Sequence, residues 1–385
     1  MKKDWTYKKL GEVCCSKKQV QRASKISLSE YIHYIDISSI NNKTNTIDQP
    51  TEMIFSEAPS RAQQIVQKND ILVSCVRPNL KNIAIVKDDI DNLVASSGFC
   101  VLRTKDIDYR YLYHIVKSDF FTNYLCSKVS GANYPAVRED DIKGAIIPIP
   151  PLCDQELIVR ELDAIHGILD KKQAQLRELD HLAQAIFYDM FGDPITNPKQ
   201  WEVSCFKQIM TPAKSKKYGK GEGLPILSIT MRNGIIFQED RFKKRIASVD
   251  VSGYKVVKKG QLVIAFPIDE GLIYIQNIAS EGIMSPAYNV WDVDYEKVCV
   301  DYITKYLHSD FCMSYYKDKL RGTTLRRRMI PKDDLLNLPI PLPPLSLQQS
   351  FAAKIEAIEA QKTAIRQSIR EVEALLAERM DAYFA

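Results

Sequence analysis

The stretch IPIPPLCDQE at residues 147–156 returns almost unchanged as IPLPPLSLQQ at residues 340–349. A shift of 193 residues aligns residues 140–191 with residues 333–384 without a gap. In this alignment, the following residues of the first copy are identical to the aligned residue of the second copy: Asp140, Asp141, Ile147, Pro148, Pro150, Pro151, Leu152, Gln155, Ala164, Ile165, Arg177, Glu178, Leu182 and Phe191. Such a repeat indicates two copies of one structural unit.

The correspondence continues upstream with small changes of register. SDFF at 118–121 matches SDFC at 309–312, and NDILVS at 69–74 resembles KGQLVI at 259–264. Each half therefore holds a globular block of about 140 residues, a proline segment and a long helical segment. The predicted domains are 1–152 for the first block, 153–191 for its helix, 192–345 for the second block and 346–385 for its helix.

The segments after the prolines carry apolar residues at alternating steps of three and four, which is typical of a coiled-coil seam. The predicted seam residues are Leu162, Ile165, Leu169, Leu176, Leu179, Ile186, Ile355, Ile358, Ile365, Ile369, Val372 and Leu376. Lys172, Lys362 and Arg379 interrupt it. The alternative is that each amphipathic helix packs only on its own domain.

The prolines keep each residue before them extended, so the segment separates the block from its helix. In the second copy, Ser346 followed by Gln349 predicts a capping box at the helix start. The blocks themselves mix strands, such as NDILVSCV at 69–76, KNIAIV at 81–86 and GQLVIAF at 260–266, with a helix predicted over 109–125. The predicted fold class is α+β, with two mixed α/β domains that are each followed by a long helix.

The composition is that of a globular protein, with 45% hydrophobic and 26% charged residues among 385. No apolar run approaches the roughly 20 residues of a membrane span, and the start has no apolar core of a secretory signal. The nine cysteines are scattered and the five histidines show no ligand spacing with them. We therefore expect a cytoplasmic protein with structural thiols, no metal and no membrane partner.

No sequence motif for catalysis is found. The G-x-G-x-G run at 219–223 follows no strand, no P-loop motif is present, and neither a nuclease nor an amino-methyltransferase signature occurs. We therefore expect a chain that catalyses nothing and holds no cofactor, and a standalone enzyme is the weakest alternative.

Charge is uneven along the chain. Residues 1–152 and 192–335 carry net charges of +4 and +6, whereas residues 153–191 and 336–385 carry −4 and −1. Basic and amide side chains that can contact phosphates and base edges lie in predicted loops of both blocks. The predicted DNA-binding residues are Asn41, Asn42, Lys43, Arg77, Asn79, Lys81, Asn133, Tyr134, Arg138, Lys214, Lys216, Lys217, Arg232, Asn233, Thr323, Thr324, Arg326, Arg327 and Arg328. The alternative for each is a solvated surface loop.

Two globular blocks, each followed by Pro-x-Pro-Pro-Leu-x-x-Gln and a heptad helix, resemble the specificity subunit of type I restriction-modification enzymes. The resemblance covers essentially the whole chain. It implies two target recognition domains that each read one half of a split duplex DNA sequence. It also implies two spacer helices that pack antiparallel with pseudo-two-fold symmetry and dock two methyltransferase subunits.

The resemblance further implies that cofactors belong to the partners. S-adenosylmethionine would be bound by the methyltransferase subunits, which methylate adenine N6, and ATP and Mg²⁺ by two restriction subunits where these are present. A helix over 154–190 would be about 55 Å long, which is longer than the roughly 34 Å of one DNA turn. A coiled-coil adaptor that joins proteins and ignores DNA is the alternative reading.

Overall fold

The fold was analysed in a computed structural model that describes residues 5–15, 20, 22–42, 44–130, 135–219, 223–231, 233–241, 251, 253–321 and 330–385. The chain divides into two compact units. Unit 1 comprises residues 1–174 and 366–385, and unit 2 comprises residues 175–365. Each unit therefore takes its main block from one half of the repeat and a helical segment from the other half.

Unit 1 combines short strands with four short helices and the start of a long one. Its strands are β1 Thr6–Lys9, β2 Tyr31–Ile35, β3 Ile40–Asn41, β4 Thr46–Ile47, β5 Thr51–Ile54, β6 Ala62–Ile65, β7 Ile71–Ser74, β8 Ile83–Ile85, β9 Leu93–Ser96, β10 Phe99–Leu102 and β11 Ile146–Ile149. Its helices are α1 Leu10–Val13, α2 Tyr109–Lys117, α3 Asp119–Lys128, α4 Glu139–Lys143 and the long α5 Leu152–Phe191, which continues into unit 2.

The strands of unit 1 form sheets in the orders β5-β2-β9-β6 and β10-β7-β8, with β2 and β9 parallel and the other pairs antiparallel. The three-stranded sheet is buried on both faces, and β7 and β10 are buried at every position. One face packs on α2 and α3, through residues such as Ile115 and Phe121, and the other on a second apolar cluster around Phe99. Burial on both faces explains the continuous runs of β-branched residues in these strands.

Unit 2 repeats the arrangement. Its strands are β12 Glu202–Cys205, β13 Met210–Pro212, β14 Leu227–Thr230, β15 Gly234–Phe237, β16 Lys255–Lys258, β17 Leu262–Ile264, β18 Ile273–Ile275, β19 Glu281–Met284, β20 Asn289–Val293 and β21 Pro339–Leu342. Its helices are α6 Phe206–Ile209, α7 Gln238–Arg241, α8 Val300–Leu307, α9 Asp310–Lys319, α10 Lys332–Leu336 and the long α11 Leu345–Phe384. The main sheet has the order β13-β20-β17-β18. The predicted α+β fold class is confirmed.

The helix predicted over 109–125 is in fact two helices. Ser118 has an extended backbone between α2 and α3, and its hydroxyl accepts a hydrogen bond from the Phe121 N–H at 3.1 Å. Ser309 does the same for Cys312 between α8 and α9. An N-cap hydroxyl satisfies an N–H that has no helical partner, so it begins a new helix at this point. The repeated Ser-Asp-Phe motif is therefore a helix start inside an apolar run.

The proline segments are strands of their own domains. In unit 1, β11 pairs antiparallel with β1 and places Pro148 opposite Tyr7, and in unit 2, β21 pairs with β12 in the same way. Each sheet has only two strands, where proline is tolerated because an edge strand leaves half of its N–H groups unpaired. A buried tyrosine hydroxyl also donates to each segment, from Tyr111 to the Pro148 carbonyl and from Tyr302 to the Pro341 carbonyl.

The glutamine of each repeat joins its long helix to the block. Gln348 is fully buried, accepts a hydrogen bond from the Cys299 N–H at 2.8 Å and donates to the carbonyls of Lys297 and Pro343. Gln155 accepts from the Asp108 N–H at 3.0 Å and donates to the Pro150 carbonyl. Cys299 and Asp108 are the N-cap residues of α8 and α2. Each glutamine therefore ties the first turn of a long helix to the first turn of a domain helix.

The capping box predicted at Ser346 is wrong, because α11 begins one residue earlier, at Leu345. The serine lies within the first turn, and the amide groups of Leu347 and Gln348 bond to the Pro344 carbonyl. The buried side chain that organises this helix start is Gln348. Proline at the position before a helix supplies a preset backbone and needs no N–H partner, which reduces the need for a polar cap.

The long helices pack antiparallel within each unit. In unit 2, Phe187 of α5 lies 5.8 Å from Phe351 of α11, and Asp180, earlier in α5, bonds to Lys362, later in α11. In unit 1, Glu161 bonds to Arg379 at 3.0 Å and to the hydroxyl of Tyr383. Lys362 and Arg379, which interrupt the apolar seam, thus face carboxylates of the other helix.

None of the predicted seam residues is exposed. Leu162, Ile165, Leu169 and Ile358 are buried, and the other eight are partly buried. Aromatic residues at the helix ends complete the domain cores: Phe191 packs on Tyr302 in unit 2, and Phe384 packs on Tyr111 in unit 1. The ends of the long helices therefore pack in the domain cores, and the segments between those ends pack against the other long helix.

Across the described residues, no helix is long and apolar enough to span a bilayer. Within the same residues no cluster of histidine, cysteine and carboxylate side chains could hold a metal ion, and none of the nine cysteines forms a disulfide bond.

Candidate nucleic-acid interface

The predicted DNA-binding residues of unit 1 meet on one set of linked loops. Arg77 and Asn79 are exposed on a tight turn between β7 and β8, and both ends of this turn, Arg77 and Lys81, have left-handed backbone conformations, with φ of 49° and 50°. Such a conformation is uncommon for residues other than glycine and persists only where the surroundings stabilise it. The turn is therefore held in a defined shape by its neighbours.

The segment that leads into α4 is one of those neighbours. The Arg77 N–H donates to the Pro135 carbonyl at 2.8 Å, and the Val137 N–H donates to the Cys75 carbonyl at 2.9 Å. Arg138, which follows directly, is exposed at the start of α4. Arg77 and Arg138 are therefore carried by two backbone segments that are hydrogen-bonded to each other.

The β3–β4 hairpin is the other neighbour. Asn45, in its loop, donates from its side-chain amide to the carbonyls of Lys81 and Ile83, both at 3.1 Å. Asn41 and Asn42 begin the same loop, and Asn42 is exposed. The three loops predicted separately from the sequence thus form one surface. We call it the unit 1 loop surface and define it by Asn41, Asn42, Arg77, Asn79 and Arg138.

Lys81, which was predicted to contact DNA like its neighbours, also makes contacts within the domain. Its ammonium group lies 2.6 Å from the carboxylate of Asp119 and donates to the Lys117 carbonyl at 3.1 Å. These contacts anchor the turn to the junction of α2 and α3. Leu80, which the sequence reading missed, is 40% exposed beside Asn79. An exposed leucine at the tip of a rigid polar turn is the signal that could have found it.

In unit 2, the predicted DNA-binding residues that the structure describes lie on two loops. Lys214, Lys216 and Lys217 are exposed on the segment after β13, which is fixed by a hydrogen bond from the Val256 N–H to the Lys216 carbonyl. Asn233 is exposed in the β14–β15 turn, and its N–H donates to the Thr230 hydroxyl at 3.1 Å. Met231, which the sequence reading missed, is exposed in the same turn, and its carbonyl accepts from the Tyr274 hydroxyl.

Nine predicted residues lie outside the described part of the chain. They are Lys43, Asn133, Tyr134, Arg232, Thr323, Thr324, Arg326, Arg327 and Arg328. Their assignment to DNA stays a prediction.

A titratable cluster positions α2, which leads into these loops, against α5. The buried His114 bonds through Nε2 to the Asp163 carboxylate at 2.9 Å and stacks on His166, with ring centroids 5.7 Å apart. The hydrogen bond from His114 lowers the pKa of Asp163. Burial, with the nearby charge of Lys117, lowers the pKa of His166 to about 4. Burial likewise lowers the pKa of Lys117. Burial therefore favours the neutral form of His166 at the contact between α2 and α5.

Comparison with known proteins shows which proteins this chain is similar to. A family model described as the type I restriction modification DNA specificity domain matches residues 2–180. A relative named as the type I restriction enzyme MjaVIII specificity subunit, from Methanocaldococcus jannaschii, is 25% identical over 319 residues, covering 77% of this chain and 73% of the relative. The first part of the chain thus matches the type I specificity domain, and most of the chain is similar to a type I specificity subunit.

Other type I specificity subunits are similar to this chain at comparable identity. The EcoKI specificity subunit of Escherichia coli is 24% identical over 228 residues, which cover 54% of this chain and 49% of that subunit. A solved structure described as showing complex assembly and conformational transition of the type I R-M system matches 98% of this chain and 96% of its own, at 25% identity and a TM-score of 0.62. The S subunit of M. genitalium, at 12% identity and a TM-score of 0.52, shares the fold over 99% of this chain and 96% of its own.

Proposed function

We propose that this chain is the non-catalytic DNA sequence-recognition subunit of a type I restriction-modification complex. Each domain reads one half of an asymmetric bipartite duplex site, and the long helices recruit two methyltransferase subunits and, where present, two restriction subunits. S-adenosylmethionine, ATP and Mg²⁺ are bound by those partners, and the complex acts in the cytoplasm. Similarity to type I specificity subunits over most of the chain supports this proposal.

The observation that carries the DNA assignment is the unit 1 loop surface. Guanidinium groups read guanine and phosphate, and amides read adenine, when a rigid backbone presents them together. Arg77, Asn79 and Arg138 satisfy this requirement, because hydrogen bonds join their loops. The neighbouring Leu80 offers an apolar contact for a thymine methyl group. Because the corresponding loops of unit 2 differ in sequence, the two half-sites should differ as well.

Methylation mapping tests the proposal. The chain is expressed with its methyltransferase partner in a host that lacks other methylation, and the modified adenines are mapped over the genome. We expect one asymmetric motif split by an unspecified spacer. A single contiguous motif, or no motif, would refute two-domain reading. Absence of salt-dependent duplex binding by the complex would favour the protein adaptor, because phosphate contacts make DNA binding strongly salt-dependent.

Variants assign the half-sites. Changing Arg77 and Asn79 to Ala should relax or abolish recognition at one half of the motif, with a loss of about 1–3 kcal/mol for each base contact removed. Lys87→Ala is the matched control, because Lys87 is exposed in unit 1 outside the loop surface. Equal changes at both half-sites, or an equal effect of the control, would contradict the assignment.

A further inference from the structure

A cavity of about 470 Å³ opens on one side of the main sheet of unit 2. Most of its wall is apolar and includes Ile264, Phe266, Val290 and Leu335. Its polar lining residues are Ser215, Lys255, Asn289, Trp291 and Lys332. Concave sites with an apolar wall and a few converging polar groups are the usual form of a small-ligand site.

Two polar atoms at the cavity have no hydrogen-bond partner. They are the indole N–H of Trp291 and the hydroxyl of Ser215. Trp291 is only 5% exposed and is held edge-on against Phe206, with ring centroids 5.1 Å apart. Buried donors are almost always paired in proteins, so two unpaired polar atoms in neighbouring lining residues are unusual.

The charge of the lining is positive. Lys255 donates to the Tyr288 carbonyl at 2.6 Å, which leaves two of its ammonium hydrogens for a ligand. Burial lowers the pKa of Lys255, and an anion beside it would offset that desolvation. Lys332 is exposed at the rim, and none of the described lining residues is acidic. The cavity therefore favours a ligand with a flat apolar body and a negative group.

The cavity borders the basic segment assigned to DNA in unit 2. Ser215 lies between Lys214 and Lys216, and Lys217 forms a β-bridge with Lys255. The segment that would contact the DNA backbone is thus also one wall of the cavity.

We propose that this cavity binds a nucleotide, with the base against the apolar wall and the phosphate at the ammonium groups of Lys255 and Lys332. Such a nucleotide has two possible sources. One is a nucleotide of the bound duplex that leaves the base stack, and for this source the inference rests on the proposed function. A free nucleotide has the same chemistry, and the two sources are separated by experiment.

The first experiment titrates the purified full-length chain with dAMP, dCMP, dGMP and dTMP by calorimetry. At least one nucleotide should bind, and the affinity should fall by about tenfold or more in Lys255→Met, because a charge-assisted hydrogen bond is lost. Ala213→Phe, which fills the cavity with a ring, should have the same effect. Lys259→Met is the control, because Lys259 is exposed outside the cavity lining and should change nothing.

The second experiment uses the complex with its methyltransferase and a duplex that carries the mapped site. 2-Aminopurine is placed in turn at each position of the unit 2 half-site except the methylated adenines, which the methyltransferase itself is expected to displace. A fluorescence increase at one position that is lost in Ala213→Phe supports the binding of a nucleotide of the duplex in the cavity. Binding of a free nucleotide without this increase supports the cavity with the free nucleotide as the source.

Failure of both experiments overturns the inference. If the duplex is bound but no nucleotide titrates and no 2-aminopurine signal depends on Ala213, the cavity has no nucleotide role and the proposed function stands. If the wild-type complex does not bind the duplex, the proposed function fails, and the titration with free nucleotides still decides the cavity.

Discussion

Replacing Gln348 by Leu should destabilise unit 2 strongly, although the two side chains are similar in size. The substitution leaves three backbone groups without their partner: the Pro343 carbonyl, whose bond is buried, and the Cys299 N–H and the Lys297 carbonyl, whose bonds are partly buried. An unpaired buried polar group costs about 1–3 kcal/mol, and carbonyls fall at the lower end of this range. The free energy of unfolding should therefore fall by roughly 3–5 kcal/mol.

Urea unfolding followed by tryptophan fluorescence measures this effect. Trp201 and Trp291 both lie in unit 2, so the signal reports mainly on that unit. With a slope of about 2 kcal/mol per molar, the midpoint should fall by roughly 1.5–2.5 M. The slope itself should change little, because the surface exposed on unfolding is the same.

Gln349→Leu is the matched control. The residue is adjacent and of the same type, but its side chain is exposed, so its effect should stay within about 0.5 kcal/mol. If Gln348→Leu and Gln349→Leu have equal midpoints, the glutamine does not hold the helix to the domain and the reasoning fails. Gln155→Leu should reproduce the effect in unit 1, where Trp5 is the only tryptophan.

Three further predictions concern pH, the helix pair and DNA. Burial lowers the folded-state pKa of His166 from 6.5 to about 4, so the unfolded chain takes up a proton that the folded chain does not as pH falls between these values. Stability should decrease by about 1–2 kcal/mol across that window, after allowance for partial exposure, and should not change above pH 7. His166→Phe, which keeps the ring stack on His114, should remove this dependence in urea midpoints measured at pH 7 and pH 5, and an identical slope in variant and wild type would contradict it. Lys362, 11% exposed, bonds to Asp180 at 2.8 Å and to Glu359 at 2.5 Å. The free energy of unfolding of Lys362→Leu should stay within about 1 kcal/mol of wild type, since an apolar residue suits the seam and no buried carboxylate is left behind. Lys362→Asp should lower it by about 3 kcal/mol or more. Equal losses of stability for the two variants in thermal unfolding would refute this account. Changing Arg326, Arg327 and Arg328 to Ala should reduce the slope of log affinity against log salt by about 2.7, the value for three phosphate contacts, and an unchanged slope would remove the segment from the footprint.

Several elements could be predicted because their determinants are local. β7, β8 and β17 lie within the predicted strands, since β-branched runs signal buried strands wherever they pack. The break at Ser118 could not be read from periodicity, because the apolar spacing continues across it and the cap depends on one hydroxyl. The start of α11 was placed one residue too late, because the serine signal competed with the proline before it.

The candidate site divides in the same way. Residue types and net charge identified loops suited to DNA, including Arg77, Asn79 and Arg138. That these loops form one surface depends on Asn45 and on backbone bonds across 36 to 62 residues of chain, which leave no pattern in the sequence. The same limit applies to Lys81, whose partner Asp119 lies 38 residues away.

The repeat at 147–156 and 340–349 by itself determined that the chain is a duplicated pair of α/β blocks with long helices, because identity at a fixed shift and heptad spacing are properties of sequence alone. Only the tertiary structure showed what the repeated residues do. The prolines lie in a strand whose carbonyl groups accept a hydrogen bond from a buried tyrosine hydroxyl. The glutamine forms hydrogen bonds with backbone groups about 50 residues upstream. The reason is physical. A buried hydrogen bond depends on which distant groups folding brings together and removes from water. The sequence gives the type of each side chain but does not give its hydrogen-bond partner.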